Sequence, residues 1–255
     1  MPEPASTTAK VALITGASRG IGREAAWALA GRGFRLFLAA EGTAEELAEV
    51  AAECRRGAPE AATGLFDLGE DGAAEAMVAA ALDRFGRVDV LLNNAGIRCR
   101  KSFGTFTRAD FDAVVSVNLA AAFFASQAVL PAMRAQGHGR IIHVASQMGS
   151  VAAEENALYG LTKAALIHLT RNMAFELAKE GIQVNSVSPG PIATQFNLDT
   201  WGRMPGKLET MAGRVPAGRM GEAWEVAEAI VFLATAEGSY IQGHDLVVDG
   251  GYIIH

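Results

Sequence analysis

The chain has 255 residues, half of them hydrophobic, with a formal net charge of −6 and no run of basic residues. That length suits one α/β domain with a large core, and that charge argues against nucleic acid or an anionic membrane as partner. Cys54 and Cys99 lie far apart without metal-ligand spacing, which argues against a disulfide framework or a zinc site.

The opening MPEPASTTAK has no apolar signal core, so residues 1–9 read as a flexible tail ahead of a catalytic domain over 10–255. No apolar run approaches the roughly 20 residues that cross a bilayer. A soluble, cytoplasmic protein is expected, with no membrane partner.

Residues 11–15 form a short apolar strand, followed by Gly16-Ala17-Ser18-Arg19-Gly20-Ile21-Gly22. Glycines at 16, 20 and 22 permit a tight turn and a close approach of backbone to a ligand. The helix opening behind them aims N–H groups at a phosphate. The spacing is G-x-x-x-G-x-G rather than G-x-G-x-x-G, and alone such a turn can be merely structural.

Residues 35–39 read as the second strand, ending at Ala40-Glu41-Gly42, and Thr43 with Glu46 fits a capping box for a helix to about 56. Residues 61–66 suggest a third strand ending at Asp67, which could cap a helix. A helix over about 71–85 leads to a fourth strand, 88–92, and then to Asn93-Asn94-Ala95-Gly96. Residues 97–106 make a loop carrying Arg98, Arg100 and Lys101. Thr107 or Asp110 could cap a long helix to about 136, with Pro131 near its end. Asn118 inside that helix is a mediocre helix former, which a buried amide bonded to backbone would explain.

The apolar run Ile141-Ile142-His143-Val144 reads as a buried strand, with Ser146, Gln147 and Met148 just beyond it. Tyr159 and Lys163, four apart, project from one helix face about one turn apart. An ammonium beside a phenol favours the phenolate, drawing a group with an ordinary pKa near ~10 towards neutrality. Ser146 at the strand's carboxyl end can converge with that pair on one small substrate. Taken singly, an exposed helix face explains the Tyr/Lys pair and a turn explains the serine. Residues 183–188 form a sixth strand, followed by Pro189-Gly190-Pro191-Ile192-Ala193-Thr194. The pattern weakens over 195–219, a helix follows over 222–235, and 245–251 closes the sheet. Alternating strands and helices argue a doubly wound parallel sheet of about seven strands with helices on both faces.

The glycine turn, Asn93-Asn94-Ala95-Gly96 and the Ser146…Tyr159-x-x-x-Lys163 stretch together resemble the short-chain dehydrogenase/reductase family over nearly the whole chain. The resemblance implies a single-domain Rossmann-type fold and an NAD(P)-dependent enzyme that interconverts a secondary alcohol and a ketone. It makes Asn118, Ser146, Tyr159 and Lys163 a catalytic tetrad. Tyr159 moves the proton, Ser146 bonds the reacting oxygen, Lys163 lowers the tyrosine's pKa and holds the nicotinamide ribose, and Asn118 holds a water in a relay to Lys163.

The same resemblance assigns the pyrophosphate and adenosine side of NAD or NADP to Gly16, Ser18, Arg19, Gly20, Ile21, Gly22, Glu41 and Asp67. Asn94, Ala95 and Gly96 flank the cofactor, and Pro189, Gly190, Ile192 and Thr194 meet its nicotinamide half beside Tyr159 and Lys163. No metal is implied. A substrate lid is expected around 195–219, and a homotetramer, for which the apolar stretches 120–129 and Tyr252-Ile253-Ile254 are further support. Ala40 stands where NAD-dependent relatives carry Asp. Glu41 could still reach the ribose hydroxyls and repel a 2′-phosphate, whereas Arg19 could hold that phosphate or pair with Glu41, so the lean to NAD is slight.

Residues 96–101, 215–219 and 243–244 look similar to the branch that oxidises gluconate-like sugar acids, while the turn TGASRGIG equally fits 3-oxoacyl-carrier-protein reductases. Arg98, Arg100, Gln147 and Met148 are candidate contacts for a polar, anionic small-molecule substrate, though the basic cluster could simply be solvated. A non-catalytic dinucleotide sensor or scaffold is the rival class, and the complete tetrad weighs against it.

Overall fold

The computed structural model describes residues 9–204, 206–236 and 240–254; residues 1–8 of the expected tail lie outside them. The strands are β1 (Val11–Thr15), β2 (Arg35–Ala40), β3 (Ala61–Leu65), β4 (Val90–Asn93), β5 (Gly139–Val144), β6 (Ile182–Pro189) and β7 (Asp245–Val248). The helices are α1 (Gly20–Ala30), α2 (Ala44–Cys54), α3 (Ala73–Phe85), α4 (Arg108–Val115), α5 (Ala121–Gln136), α6 (Ala157–Leu177), α7 (Gln195–Gly202), α8 (Lys207–Gly213) and α9 (Ala223–Thr235). The sheet runs β3-β2-β1-β4-β5-β6-β7 with every neighbouring pair parallel.

Side chains alternate across the sheet, so each strand feeds two cores. Ala12, Ile14, Leu36, Leu38, Leu92 and Ile142 face α1, α2 and α9, where Leu29, Leu47 and Ile230 meet them. Leu13, Phe37, Leu91, Ile141 and Val184 face α3, α5 and α6, against Met77, Val129, Met133 and Leu177. Burial on both faces is why these strands read as near-continuous apolar runs. The chain leaves β1 outward through β2 and β3, then returns to lay β4 on the other side of β1. That reversal opens a crevice beyond the carboxyl ends of β1 and β4, the place where such sheets bind ligands.

Several boundaries differ from expectation for local reasons. β4 begins at Val90 rather than 88, because the buried Asp89 carboxylate takes Val11 N (2.7 Å) and the Arg87 guanidinium. β7 stops at Val248, where Asp249 turns the chain by accepting from Gly251 N (2.8 Å) and Ile253 N (2.9 Å). The Thr107/Asp110 capping box is complete, whereas at Thr43 only the Glu46 N–H bond forms.

The largest difference is in the long helix. Residues 116–120 form a π-helical turn between α4 and α5, with Asn118 at its centre. By length and composition alone, Arg108–Gln136 is apolar enough to cross a bilayer, which corrects the expectation that no run comes near it. Here Ala121, Ala125, Val129 and Met133 pack into the core beside α3.

Candidate active site

Two loops are stitched together at the crevice. Thr15 Oγ1 accepts from Asn94 N and Ala95 N, both at 2.9 Å, and donates to Leu92 O at 3.3 Å. Asn94 Nδ2 donates to Thr15 O (2.9 Å) and Gly16 O (3.1 Å). The turn is tight enough that a Cβ on Gly22 would lie 2.2 Å from Gly16 O, and Gly16 itself sits at φ +64°. Arg19 is the N-cap of α1 but bonds no first-turn N–H through its side chain. Those N–H groups are therefore left for an anion, with Ser18, Gly20 and Ile21 partly exposed beside them. The cradle fits a dinucleotide pyrophosphate.

Glu41 and Asp67 lie exposed just beyond β2 and β3. Asp67 does not cap a helix: its Oδ1 accepts from Gly69 N at 2.8 Å, and Gly72 is the N-cap of α3. Arg19 and Glu41 are both exposed, and among the described residues no ion pair joins them.

On the other side of the crevice, Tyr159 and Lys163 are buried rather than on a solvated helix face, at 9% and 3% exposure. The short turn Gln147–Gly149 sits directly on α6, where a Cβ on Gly149 would lie 2.9 Å from the backbone carbon of Lys163. That contact sets Ser146, also buried, beside Tyr159, while its Oγ accepts from Met148 N at 3.2 Å. Lys163 Nζ donates to Val144 O at 2.7 Å and lies 5.7 Å from the Tyr159 ring centroid.

Asn118 is drawn in by the π-helical turn. Its Oδ1 accepts from Ile97 N (2.8 Å), and its Nδ2 donates to Ile97 O (3.0 Å) and Thr162 Oγ1 (3.2 Å). Both Nδ2 protons and one of the two Oδ1 lone pairs are thus engaged by protein. The π-helical turn also breaks the regular helical bonding pattern of its backbone. Gly96 lies against both Asn118 and Lys163.

The electrostatics of the phenol are decided by opposing causes. Burial alone would raise the Tyr159 pKa, but the cations Lys163 and Arg98, with the donors of Arg98 and Ser146 close to the hydroxyl, bring it below its ordinary value. Burial also lowers the Lys163 pKa; the neighbouring Tyr159 opposes that fall and Arg98 adds to it.

The basic loop separates into distinct fates. The Arg98 guanidinium carbon lies 4.7 Å from the Tyr159 ring centroid, and Nη1 donates to Asn197 Oδ1 at 3.4 Å. Arg100 pairs with Glu155 at 3.4 Å, and Lys101 with Asp110 at 2.6 Å. Gln147 is buried with its Oε1 unpaired among the described residues, close to Gly190. Met148 is half-buried.

Beyond β6, Gly190 N donates to Val248 O at 2.9 Å. The Ile192 carbonyl accepts from Thr194 N and from Asn197 Nδ2, both at 2.8 Å. Among the described residues no hydrogen bond from the Ile192 N–H is present. Thr194 Oγ1 accepts from Asn197 N at 3.4 Å and so caps α7.

Over residues 16–253 the chain matches the family model described as enoyl-(acyl carrier protein) reductase. It belongs to the short-chain dehydrogenase/reductase family.

Among curated relatives of this dehydrogenase/reductase, L-rhamnose 1-dehydrogenase (NAD(P)(+)) of Azotobacter vinelandii (strain DJ / ATCC BAA-1303) is 39% identical, with 96% of this chain and 97% of the relative covered. The 3-oxoacyl-(acyl-carrier-protein) reductase FabG of Escherichia coli (strain K12) is 36% identical over 95% of this chain and 96% of its own. A solved structure from Beutenbergia cavernae, provisionally assigned as an NAD(P)-dependent gluconate 5-dehydrogenase with NADP at low occupancy, superposes with a TM-score of 0.91. It is 33% identical, covering 99% of this chain and 100% of that one. The chain is accordingly an NAD(P)-dependent oxidoreductase acting on CH–OH groups.

Sequence reasoning missed Asn197, which ties Arg98 to Ile192. The sole signal was Thr194-x-x-Asn197, a cap pattern in a stretch of otherwise weak periodicity.

Proposed function

We propose that this enzyme interconverts a secondary alcohol and a ketone on a polar, anionic sugar-acid-like substrate. The observation carrying the substrate class is Arg98: a half-buried guanidinium beside Tyr159 whose partners among the described residues are a ring and a neutral amide, not a carboxylate. A planar guanidinium so placed offers a substrate carboxylate two parallel hydrogen bonds. Arg100 lies close by in the same loop but is already engaged by Glu155, and Gln147 and Met148 complete the candidate contacts.

The cofactor, when bound, supplies the hydride chemistry. Its pyrophosphate would rest on Gly16, Ser18, Arg19, Gly20, Ile21 and Gly22, with Glu41 and Asp67 towards the adenosine. Asn94, Ala95, Gly96, Pro189, Gly190, Ile192 and Thr194 would line the rest. In oxidation Tyr159, as phenolate, takes the proton from the substrate hydroxyl; in reduction it returns a proton to the carbonyl oxygen. Ser146 hydrogen-bonds that same oxygen and stabilises its developing charge. Lys163 holds the phenolate form and the ribose, and Asn118 fixes the relay behind it. The two short helices α7 and α8 fit a substrate lid over 195–219.

A screen of sugar acids, polyols and acetoacetyl thioesters, each with NAD(H) and NADP(H), tests this reading. Turnover of sugar acids is expected, reduced by Arg98→Ala and Arg100→Ala, with kcat/KM modestly higher for NAD because the exposed Glu41 carboxylate just past β2 would repel a 2′-phosphate. Activity confined to apolar ketones and indifferent to both substitutions would overturn the substrate class, and a large NADPH preference would show that Arg19 dominates. Turnover of the thioesters alone would favour the 3-oxoacyl alternative.

A homotetramer fits two separate exposed apolar surfaces. Phe111, Phe123, Phe124, Leu161 and Phe175 project from α4, α5 and α6, and Trp224, Phe232 and Ile254 from α9 and the carboxyl-terminal turn. Half of the 120–129 stretch is core, as Ala121, Ala122, Ala125 and Val129 show, but Phe175 at 89% and Ile254 at 83% exposure have no cover among the described residues. Light scattering at micromolar concentration should give four times the chain mass; a monomer mass would end this reading. Two free thiols, Cys54 and Cys99, suit a reducing cytoplasm.

A further inference from the structure

Arg98 stands where an additional cation meets the proton-transferring phenol. We propose that Arg98 is a positioning residue for the phenolate form of Tyr159, its guanidinium lying over the ring and held there by Asn197 of α7. The inference rests on Tyr159 as acid–base group and is independent of which substrate is used.

The groups facing the phenol come from four elements. Lys163 approaches from α6, its Nζ 5.7 Å from the ring centroid. Arg98 approaches from the loop after β4, at 4.7 Å, within the roughly 6 Å over which a cation is attracted to a ring face. The carboxyl end of β5 brings the neutral Ser146 hydroxyl. His143, further back on β5, is fully buried, and burial together with Lys163 drives its pKa down to about 3, so it adds no charge near neutrality. Asn197 on α7 is neutral, and Glu155, the nearby carboxylate, is taken by Arg100. Two cations and no facing carboxylate therefore act on the phenol among the described residues.

The two cations are not equivalent. Lys163 exchanges protons and is coupled to the phenol's own ionisation, since each alters the other's pKa. A guanidinium keeps its charge throughout the accessible range, so its field is constant with pH. Arg98 thereby sets a floor under the phenolate population, favouring oxidation closer to neutrality. Asn197 makes that field dependent on α7, because the same amide bonds both Arg98 and Ile192 O.

The test is a titration of free enzyme by ultraviolet tyrosinate absorbance, with Tyr159→Phe subtracted to remove Tyr240 and Tyr252. In Arg98→Gln the Tyr159 midpoint should rise by about one pH unit or more, and the acid limb of kcat/KM for oxidation should move with it. Arg98→Lys should recover part of the shift. Asn197→Asp, which sets a carboxylate against the guanidinium without removing it, should raise the midpoint in the same direction and serves if Arg98→Gln does not fold. Midpoints equal to the parent's in both folded variants would overturn the proposal. Because no substrate is present, failure of the sugar-acid reading would leave this titration unchanged.

Discussion

Tyr159→Phe is expected to abolish turnover in both directions while leaving dinucleotide binding close to that of the parent. The substitution removes one oxygen and keeps the ring, so Arg98 can still lie over it at 4.7 Å and the 9% exposed site stays filled. What is lost is the group that exchanges a proton with the substrate oxygen. Positioned proton transfer contributes about 10²–10⁴-fold, and kcat should fall by at least that much. The cofactor cradle around Gly16 and Gly22 lies in the turn from β1 into α1 and does not depend on the phenol. Fluorescence titration with reduced cofactor, set beside steady-state rates on the substrate screen, separates the two quantities. Near-normal turnover would remove Tyr159 from its role.

The grouping of Ser146, Tyr159 and Lys163 was legible in the sequence because its parts are local. A four-residue spacing on a helix, a serine after an apolar strand and glycines in a strand-to-helix turn are all set by backbone geometry within a few residues. The sheet was legible for the same reason: strands buried on both faces are apolar at most positions, and Val11–Thr15 or the Ile141–Val144 part of Gly139–Val144 leave little choice. The break at Ser116–Ala120 was not legible. Its sequence, SVNLA, between two helical stretches carries no breaker; the π-helical turn accompanies an Asn118 side chain that holds the Ile97 backbone, a contact across 21 residues. Nor could the basic loop be divided by pattern. Arg98, Arg100 and Lys101 look alike in sequence, and only the fold gives Lys101 to Asp110, Arg100 to Glu155 and Arg98 to the tyrosine ring. Asn197 escaped notice because its importance lies in two partners, Arg98 and Ile192, that are remote or irregular in the chain.

Lys163→Met should impair turnover and cofactor affinity together, which distinguishes it from Tyr159→Phe. The methionine fills a similar volume and carries no charge, so the burial that now works against the ammonium is relieved. Against this, Val144 O loses its 2.7 Å donor, and an unpaired buried acceptor costs about 1–3 kcal/mol. The chain should fold, with a lowered melting temperature. Without Lys163 the phenol keeps only the Arg98 cation against the burial that raises its pKa. The sign follows directly: the phenolate appears at higher pH, so residual oxidation should be displaced to the alkaline side, with kcat at neutral pH down by about 10²–10⁴-fold. If Lys163 also holds the ribose, the dissociation constant for the dinucleotide should rise as well, whatever the pH. Unchanged affinity with collapsed kcat would leave the lysine only its electrostatic part, whereas weakened affinity with an unshifted pH profile would leave it only as an anchor. Raising the pH in Lys163→Met should restore part of the rate but none of the affinity, because pH can deprotonate Tyr159 but cannot replace the missing donor.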